Sequence, residues 1–417
     1  MNTTVPAKPS AEILAEAARQ HAILSEGTAA IYPEKGVHGK DGLFDKLVTS
    51  LMENRPLRIK LGMDPTAPDI HLGHTVALNA MRKFQNLGHK VLPLIGNYTA
   101  LIGDPSGRNS TRPPLTEEQI MQNAETYKEQ IFKIIENDPA KCRLMWNGDW
   151  LKELSFADTI KLCAQVSVAQ LIAKEDFGNR LANQTPISLH EFLYPLMQGY
   201  DSIAMQEREG CDIEFGGTDQ TFNCLMGRQL MQARGMEPQI VMTFPLLEGL
   251  DGVMKMSKSK ANYIGVTENP TDMFGKTMSI PDSLLDRWYS LLTTIPAAER
   301  PSHPMEAKKK LAHFITARFH GEAAADEART AFESRFSKRE MPTDMPELKL
   351  PLEALTTLTD LVVAANFATS KSEARRLIEQ GGVKLNGEQH KDPTAPVKLE
   401  TPFILQVGKL KLAKITA

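Results

Sequence analysis

Apolar and polar positions alternate along this chain on two different periods, and the points where one gives way to the other outline its elements. The N-terminal AEILAEAARQHAILSEG has the three-to-four spacing of an amphipathic helix. Residues 1–55 read as a helical lead-in that includes the glycine-containing loop EKGVHGKDG. The run LRIKLGM, 57–63, is a short apolar strand, stopped by DPTAPD. From Thr75 to Leu87 the apolar residues recur at helical spacing, and a second strand ends near Ile95. Strand, turn, helix, strand is a βαβ unit and implies a parallel sheet. After LIGDPSGRNSTRPPL the pattern turns helical, opened by TEEQ at Thr116 in capping-box form, and 115–187 reads as an insertion. The sheet resumes with a helix capped by SLHE at Ser188, the strand CDIEFGG, a helix from about Thr218 and the strand IVMTFPLL. Residues Glu268 to Phe336 are helical and polar, and the proline-punctuated hinge MPTDMPELKLP precedes a small unit from 351. The expected class is α/β, with a parallel-sheet domain over 56–265, a helical domain over 266–345 and a small α+β domain over 351–417.

Composition narrows the function. A chain of 417 residues with 24% charged and 41% hydrophobic residues can build two or three cores. The net charge of −3 offers nucleic acid no global attraction, so any RNA-binding surface must be a local patch. Cys142, Cys163, Cys211 and Cys224 lack C-x-x-C spacing, which points to free thiols in a reducing compartment and argues against zinc. The N-terminal pattern lacks the apolar run of a signal peptide, and no uninterrupted apolar stretch is long enough to span a membrane. The expectation is a cytoplasmic protein without a membrane partner.

Two short motifs carry the chemistry. HLGH, His71 to His74, sits at a strand–turn–helix corner, where a helix N-terminus offers N–H groups to an anion. H-x-x-H spacing suggests a metal first, but no H-E-x-x-H or neighbouring cysteine supports one, and no protein-bound metal is expected. KMSKS, Lys255 to Ser259, follows a later strand of the same sheet, so both motifs can face one cleft at the strand carboxyl ends. Mobile ammoniums and hydroxyls suit a triphosphate losing pyrophosphate. In this order and separation the pair resembles the HIGH-type and KMSKS-type motifs of class I aminoacyl-tRNA synthetases, a Rossmann-like family. The resemblance implies that His71, His74, Lys255 and Lys258 act on the phosphates of ATP carried in with Mg²⁺. It also implies that Gly73 lets the adenine approach the backbone.

The helix from Ser188 places Tyr194, Gln198 and Asp201 at i, i+4 and i+7, a phenol, an amide and a carboxylate on one face. This face resembles the tyrosine-binding helix of the bacterial tyrosyl-tRNA synthetases, and GMDPTAPDIHLGH, LIGDPSGR and GGTDQ are similar to that family too. Carried over by resemblance, Asp104, Tyr194 and Gln198 hold the substrate ammonium, Asp201 accepts the phenolic hydroxyl and Gln220 lies by the carboxyl. Asp64 sits beside the adenylate, Gly217 and Asp219 meet the ribose, and Arg108 and Arg112 assist transfer. One position departs: Lys60 stands where some relatives have a tyrosine that helps bind the substrate hydroxyl, which leaves the second hydroxyl contact unassigned.

The C-terminal unit carries nine Lys and Arg against seven Asp and Glu, with Lys371, Arg375 and Arg376 close together on one helix face. It resembles the α-L RNA-binding module, which meets structured RNA through phosphates and shape. The resemblance implies a homodimer joined through the insertion, an anticodon-side role for the helical domain, and tRNA, tyrosine and ATP as partners. The sister tryptophan enzyme and a non-catalytic RNA-binding paralogue are the alternatives.

Overall fold

The computed structural model describes residues 8–104, 115–337, 346–350, 357–396, 402–408 and 411–416. The expected transfer residues Arg108 and Arg112 lie outside them. A six-stranded sheet is built from β1 (Ala30–Tyr32), β2 (Arg58–Met63), β3 (Lys90–Ile95), β4 (Met145–Trp146), β5 (Ile213–Gly217) and β6 (Ile240–Phe244), in the order β1-β6-β5-β2-β3-β4. All neighbours pair in parallel except β1, which runs antiparallel to β6 at one edge. From β2 the chain winds outward to β3 and β4; it then crosses to β5 on the other side of β2 and continues to β6. The winding reverses between β2 and β5, and a crevice opens beyond the carboxyl ends of strands at such a reversal.

Several features differ from the sequence expectation. The lead-in over 1–55 contributes a strand, β1, besides helices Ala11–Leu24 and Gly42–Met52. The insertion over 115–187 returns to the sheet as the two-residue β4, a segment too short for its alternation to register. Helices Pro270–Met278, Leu285–Leu292 and Pro304–His320 are not independent of the sheet, although Phe274, Met278 and Ala312 form a small cluster of their own. Their Met273, Trp288 and Leu311 are fully buried in the same cluster as Ile59 and Met242 of the sheet.

The helix after β2, here α1 (Leu72–Asn86), starts at Leu72 rather than Thr75 because the histidines cap it. The Nδ1 of His71 accepts the Gly73 N–H at 3.2 Å, and the Nδ1 of His74 accepts the His71 N–H at 3.2 Å. This is a reciprocal capping box made of imidazoles, hidden from a reading that waits for the first apolar repeat. The capping boxes at Thr116 and Ser188 are both present. Ser188 opens α2 (Leu189–Glu209), which packs on α3 (Thr221–Ala233). A side chain at Gly199 would strike Leu230 and one at Gly227 would strike Ser202, so these glycines set how close the two helices come.

The second unit, Glu333–Ala417, has its own core around Leu361, Ile378, Leu405 and Ile415. Helices Leu358–Ala364 and α4 (Lys371–Glu379) accompany a sheet of β7 (Glu347–Lys349), β8 (Val383–Leu385), β9 (Glu388–His390), β10 (Phe403–Val407) and β11 (Lys411–Thr416). The hinge is therefore not all linker: its ELK segment is β7, parallel to β11.

Candidate active site

The two motifs meet at the carboxyl end of the sheet. His71 and His74 stack with ring centroids 3.9 Å apart, and His71 bridges Gly265 beyond the KMSKS loop. Burial, with the neighbouring Lys258 adding to it, pushes the His74 pKa down to about 4 and that of His71 lower still. Both rings are thus neutral near pH 7. Each Nδ1 accepts a backbone N–H, so the proton resides on Nε2, and both rings can donate to an oxyanion there. In the KMSKS loop the buried Met256 anchors the backbone through its N–H to the Leu247 carbonyl at 2.7 Å. The flanking Lys255, Ser257 and Lys258 are half-buried. Lys258 Nζ donates to the Asp69 carbonyl just before HLGH, tying the motifs together. Lys255 Nζ lies 2.8 Å from Asp219 Oδ2.

Deeper in the crevice stands the α2 face. Tyr194 donates its hydroxyl to Asp64 Oδ2 at 2.8 Å, and Thr99 donates to Asp64 Oδ1 at 2.7 Å. Burial and the nearby Asp64 and Asp104 carboxylates raise the Tyr194 pKa well above normal, so the phenol stays a donor. Asp201 is 3% exposed and takes Trp150 Nε1–H at 2.7 Å on one oxygen and Asn147 Nδ2–H at 3.2 Å on the other. Each carboxylate oxygen keeps a second lone pair for a further donor. Burial lifts the Asp201 pKa to about 7 against the pull of Lys60 and its two donors. Gln220 donates to Asp104 Oδ2 at 2.7 Å and is steadied by Asn223 at 3.0 Å.

Along β2, residues 60, 62 and 64 share one face of the strand. At Gly62 a side chain would meet no atom within 4 Å, which leaves open space between Lys60 below and Asp64 above. Through Thr99 and Asn147, hydrogen bonds join Asp64 and Tyr194 to Asp201 near the β2–β5 reversal, and a second link joins Gln220 to Asp104. Asp219, Lys255, Lys258 and the histidines border the outer end of the crevice. Lys371, Arg375 and Arg376 belong to the other unit, on α4, where Arg375 and Arg376 are exposed and Lys371 pairs with Asp360 at 2.8 Å.

Several contributors escaped the sequence reading. Trp150, Asn147 and Thr99 come from segments without a motif. Lys174, 4% exposed, comes from the insertion and lies in the field of Asp104, Asp176 and Asp219, its pKa lowered by burial. Glu214 was legible in principle, as an acidic residue in the apolar strand CDIEFGG. Among the described residues no group of three His, Cys, Asp or Glu is arranged to hold a metal ion. No helix there is long and apolar enough to cross a membrane.

Known proteins resemble this chain along most of its length. The family model for class I tRNA synthetases of the W and Y type matches residues 52–337, and that for the S4 domain matches 357–401. The chain belongs to the class I tRNA synthetase family of the tryptophan and tyrosine type. Its curated relatives include the tyrosine–tRNA ligase of Moorella thermoacetica, 49% identical over 410 residues and 96% of each chain. The tyrosine–tRNA ligase of Shewanella oneidensis is 51% identical over 379 residues, 89% of this chain and 94% of that one. Among solved structures, a C-terminally truncated mitochondrial tyrosyl-tRNA synthetase of Aspergillus nidulans shares the fold with a TM-score of 0.62 at 20% identity. It covers 78% of this chain and 98% of its own.

Proposed function

We propose that this chain is a tyrosine–tRNA ligase: it activates tyrosine with ATP and transfers the tyrosyl group to the 3′-terminal ribose of tRNA. The observation that carries the reading is the buried Asp201 at the closed end of a slot whose open end carries HLGH and KMSKS. A phenol that reaches Asp201 satisfies it, whereas phenylalanine would leave the carboxylate short of a partner in a desolvated site. In this reading Tyr194, Gln198 and Asp104 take the ammonium and Gln220 lies by the carboxyl. Asp64 stands beside the adenylate, Gly73 makes room for adenine, and Gly217 and Asp219 meet the ribose.

The tyrosine carboxylate attacks the α-phosphorus of ATP, delivered as its Mg²⁺ complex, and the bond to the β-phosphate breaks to release pyrophosphate. The Nε2–H groups of His71 and His74 and the ammoniums of Lys255 and Lys258 stabilise the charge that builds on the phosphates. No covalent enzyme intermediate is required, and catalysis is by positioning and electrostatics. The tRNA ribose then attacks the acyl carbon and AMP leaves, with Arg108 and Arg112 assisting.

The C-terminal unit, through Lys371, Arg375 and Arg376, supplies phosphate contacts to tRNA. Dimerisation through the insertion is supported by the exposed Phe156, Ile160 and Val168, at 82%, 54% and 66%. Four free thiols, three of them buried, suit a cytoplasmic location. The test is ATP–pyrophosphate exchange across a panel of amino acids. Exchange with tyrosine alone supports the reading; exchange with tryptophan instead assigns the sister activity. Exchange with none makes the chain an RNA-binding paralogue without turnover.

A further inference from the structure

Lys60 replaces a tyrosine of some relatives, and its surroundings give it a different task. It is fully buried in β2, directly opposite Glu214 of β5 in the parallel ladder, with Nζ 3.0 Å from Glu214 Oε1 and 3.0 Å from Ser202 Oγ. Ser202 donates to Glu214 Oε2 at 3.0 Å, and Gln239 donates to the same carboxylate and to Ser202. A buried ion pair between two central strands is costly unless it is satisfied on all sides. This one is held by Ser202, Gln239 and Gln198, and it sits directly beneath the slot.

Two links lead from the pair to the substrate groups. Gln198 donates Nε2–H to Glu214 Oε1 at 3.2 Å. A carboxylate only accepts, so Glu214 fixes which way the amide is turned and leaves the Gln198 oxygen to face an ammonium. The other link is electrostatic: Asp201 lies near enough for the Lys60 ammonium to act on its carboxylate. We propose that the Lys60–Glu214 pair is the positioning device of the amino-acid slot, Glu214 orienting Gln198 toward the ammonium and Lys60 keeping Asp201 an anionic acceptor for the phenol. The inference rests on the slot reading given above and adds a pair of residues that touch no substrate.

The charges support it. Burial alone would pull the Lys60 pKa down, yet the Glu214 and Asp201 carboxylates more than offset that, so the ammonium persists. For Asp201 burial raises the pKa to about 7, Lys60 opposes the rise and Glu214 adds to it. The other titratable groups around the cluster are Cys211 just before β5, Cys224 on α3 and Tyr194 on α2. Burial raises all three, so they stay neutral. Asp201 ionises as pH rises through about 7, and tyrosine use should rise over the same window.

The experiment is the pH profile of kcat/KM for tyrosine in pyrophosphate exchange, on the full chain. The wild type should show an acidic limb near pH 7. Lys60→Met removes the cation and should move the limb up by about one unit, raising KM for tyrosine about fivefold near pH 7 with KM for ATP unchanged. Glu214→Gln removes the acceptor that turns the Gln198 amide and should raise KM for tyrosine with KM for ATP unchanged. An upward limb in Lys60→Met with ATP use untouched is a signature that general loosening of the fold cannot produce. If Lys60→Met does not fold, the KM split in Glu214→Gln decides alone; a limb that stays put in Lys60→Met, an unchanged KM for tyrosine in Glu214→Gln, or a wild type without a limb overturns the inference. Asp201→Asn separates the two layers: an unaltered tyrosine–phenylalanine ratio there sinks the slot reading itself. A lost ratio with an immobile limb in Lys60→Met or an unchanged KM for tyrosine in Glu214→Gln sinks only the role of Lys60 and Glu214.

Discussion

The two ends of the crevice are built on opposite principles. At the amino-acid end Lys60, Asp201 and Glu214 are buried, each with protein partners that fix its orientation. At the phosphate end the Lys255 side chain is 38% exposed, the Asp219 side chain with which it pairs is 23% exposed, and the hydroxyls of Ser257 and Ser259 bond to each other at 2.8 Å. Buried, satisfied polar groups discriminate because a wrong ligand leaves them unpaired. Half-exposed ammoniums on a loop, such as that of Lys255, discriminate little, but they can follow a phosphate as its charge moves. Selectivity and rate are thereby given to different regions of one slot, and substitutions should separate them.

The widest separation is expected at the phosphate end. His74→Ala and Lys258→Ala should each lower the rate of adenylate formation by about 10²–10³, the scale for losing one preorganised transition-state donor. Tyrosine affinity should stay as it is. Rapid-quench measurement of adenylate beside equilibrium tyrosine binding checks both, and a large loss of tyrosine affinity at an unchanged rate would reverse the assignments. Asp201→Asn should do the converse, eroding the kcat/KM ratio of tyrosine to phenylalanine about 10–100-fold, as for loss of a charged hydrogen bond. A smaller effect is expected from the second unit. Replacing Lys371, Arg375 and Arg376 with Gln should reduce the log–log salt slope of tRNA binding by about 2 while pyrophosphate exchange holds. A slope that does not move would remove α4 from the tRNA interface.

The smallest effect expected is none at all. With the His74 pKa at about 4 and that of His71 lower still, neither ring titrates between pH 6 and 8. KM for ATP should be flat there while tyrosine use changes. Stability carries the mark of the same burial. The unfolded histidines bind protons below about pH 6.5 that native His74 and His89, each pushed down to about 4, do not. The folded state therefore loses stability as pH falls from about 6.5 toward 4, which urea titrations at a series of pH values would show.

How legible each region was in the sequence follows from where its signal lies. HLGH, KMSKS and the Tyr194–Gln198–Asp201 face are short-range patterns, and so are the capping boxes at Thr116 and Ser188. What escaped depends on distant partners. Strand β1 exists because Ala30–Tyr32 finds β6 across some 200 residues, and β4 because two residues meet the end of β3. The ladder pairing of Lys60 with Glu214 has no local trace, which is why the lysine read as an unexplained departure. The helices over 270–320 looked independent because their polar faces dominate the pattern. Their buried residues, Trp288 and Met273 among them, join the cluster of the sheet, a pairing with distant residues that the local pattern does not show.

The central claim is that the amino acid is read by a slot already assembled in the protein, apart from the nucleotide. Calorimetric titration of the ATP-free protein with tyrosine and with phenylalanine tests it most directly. Saturable binding of tyrosine at a single site per chain, with phenylalanine weaker by at least about tenfold, is the expected result. Tyrosine binding that requires ATP, or equal binding of the two amino acids, would contradict it.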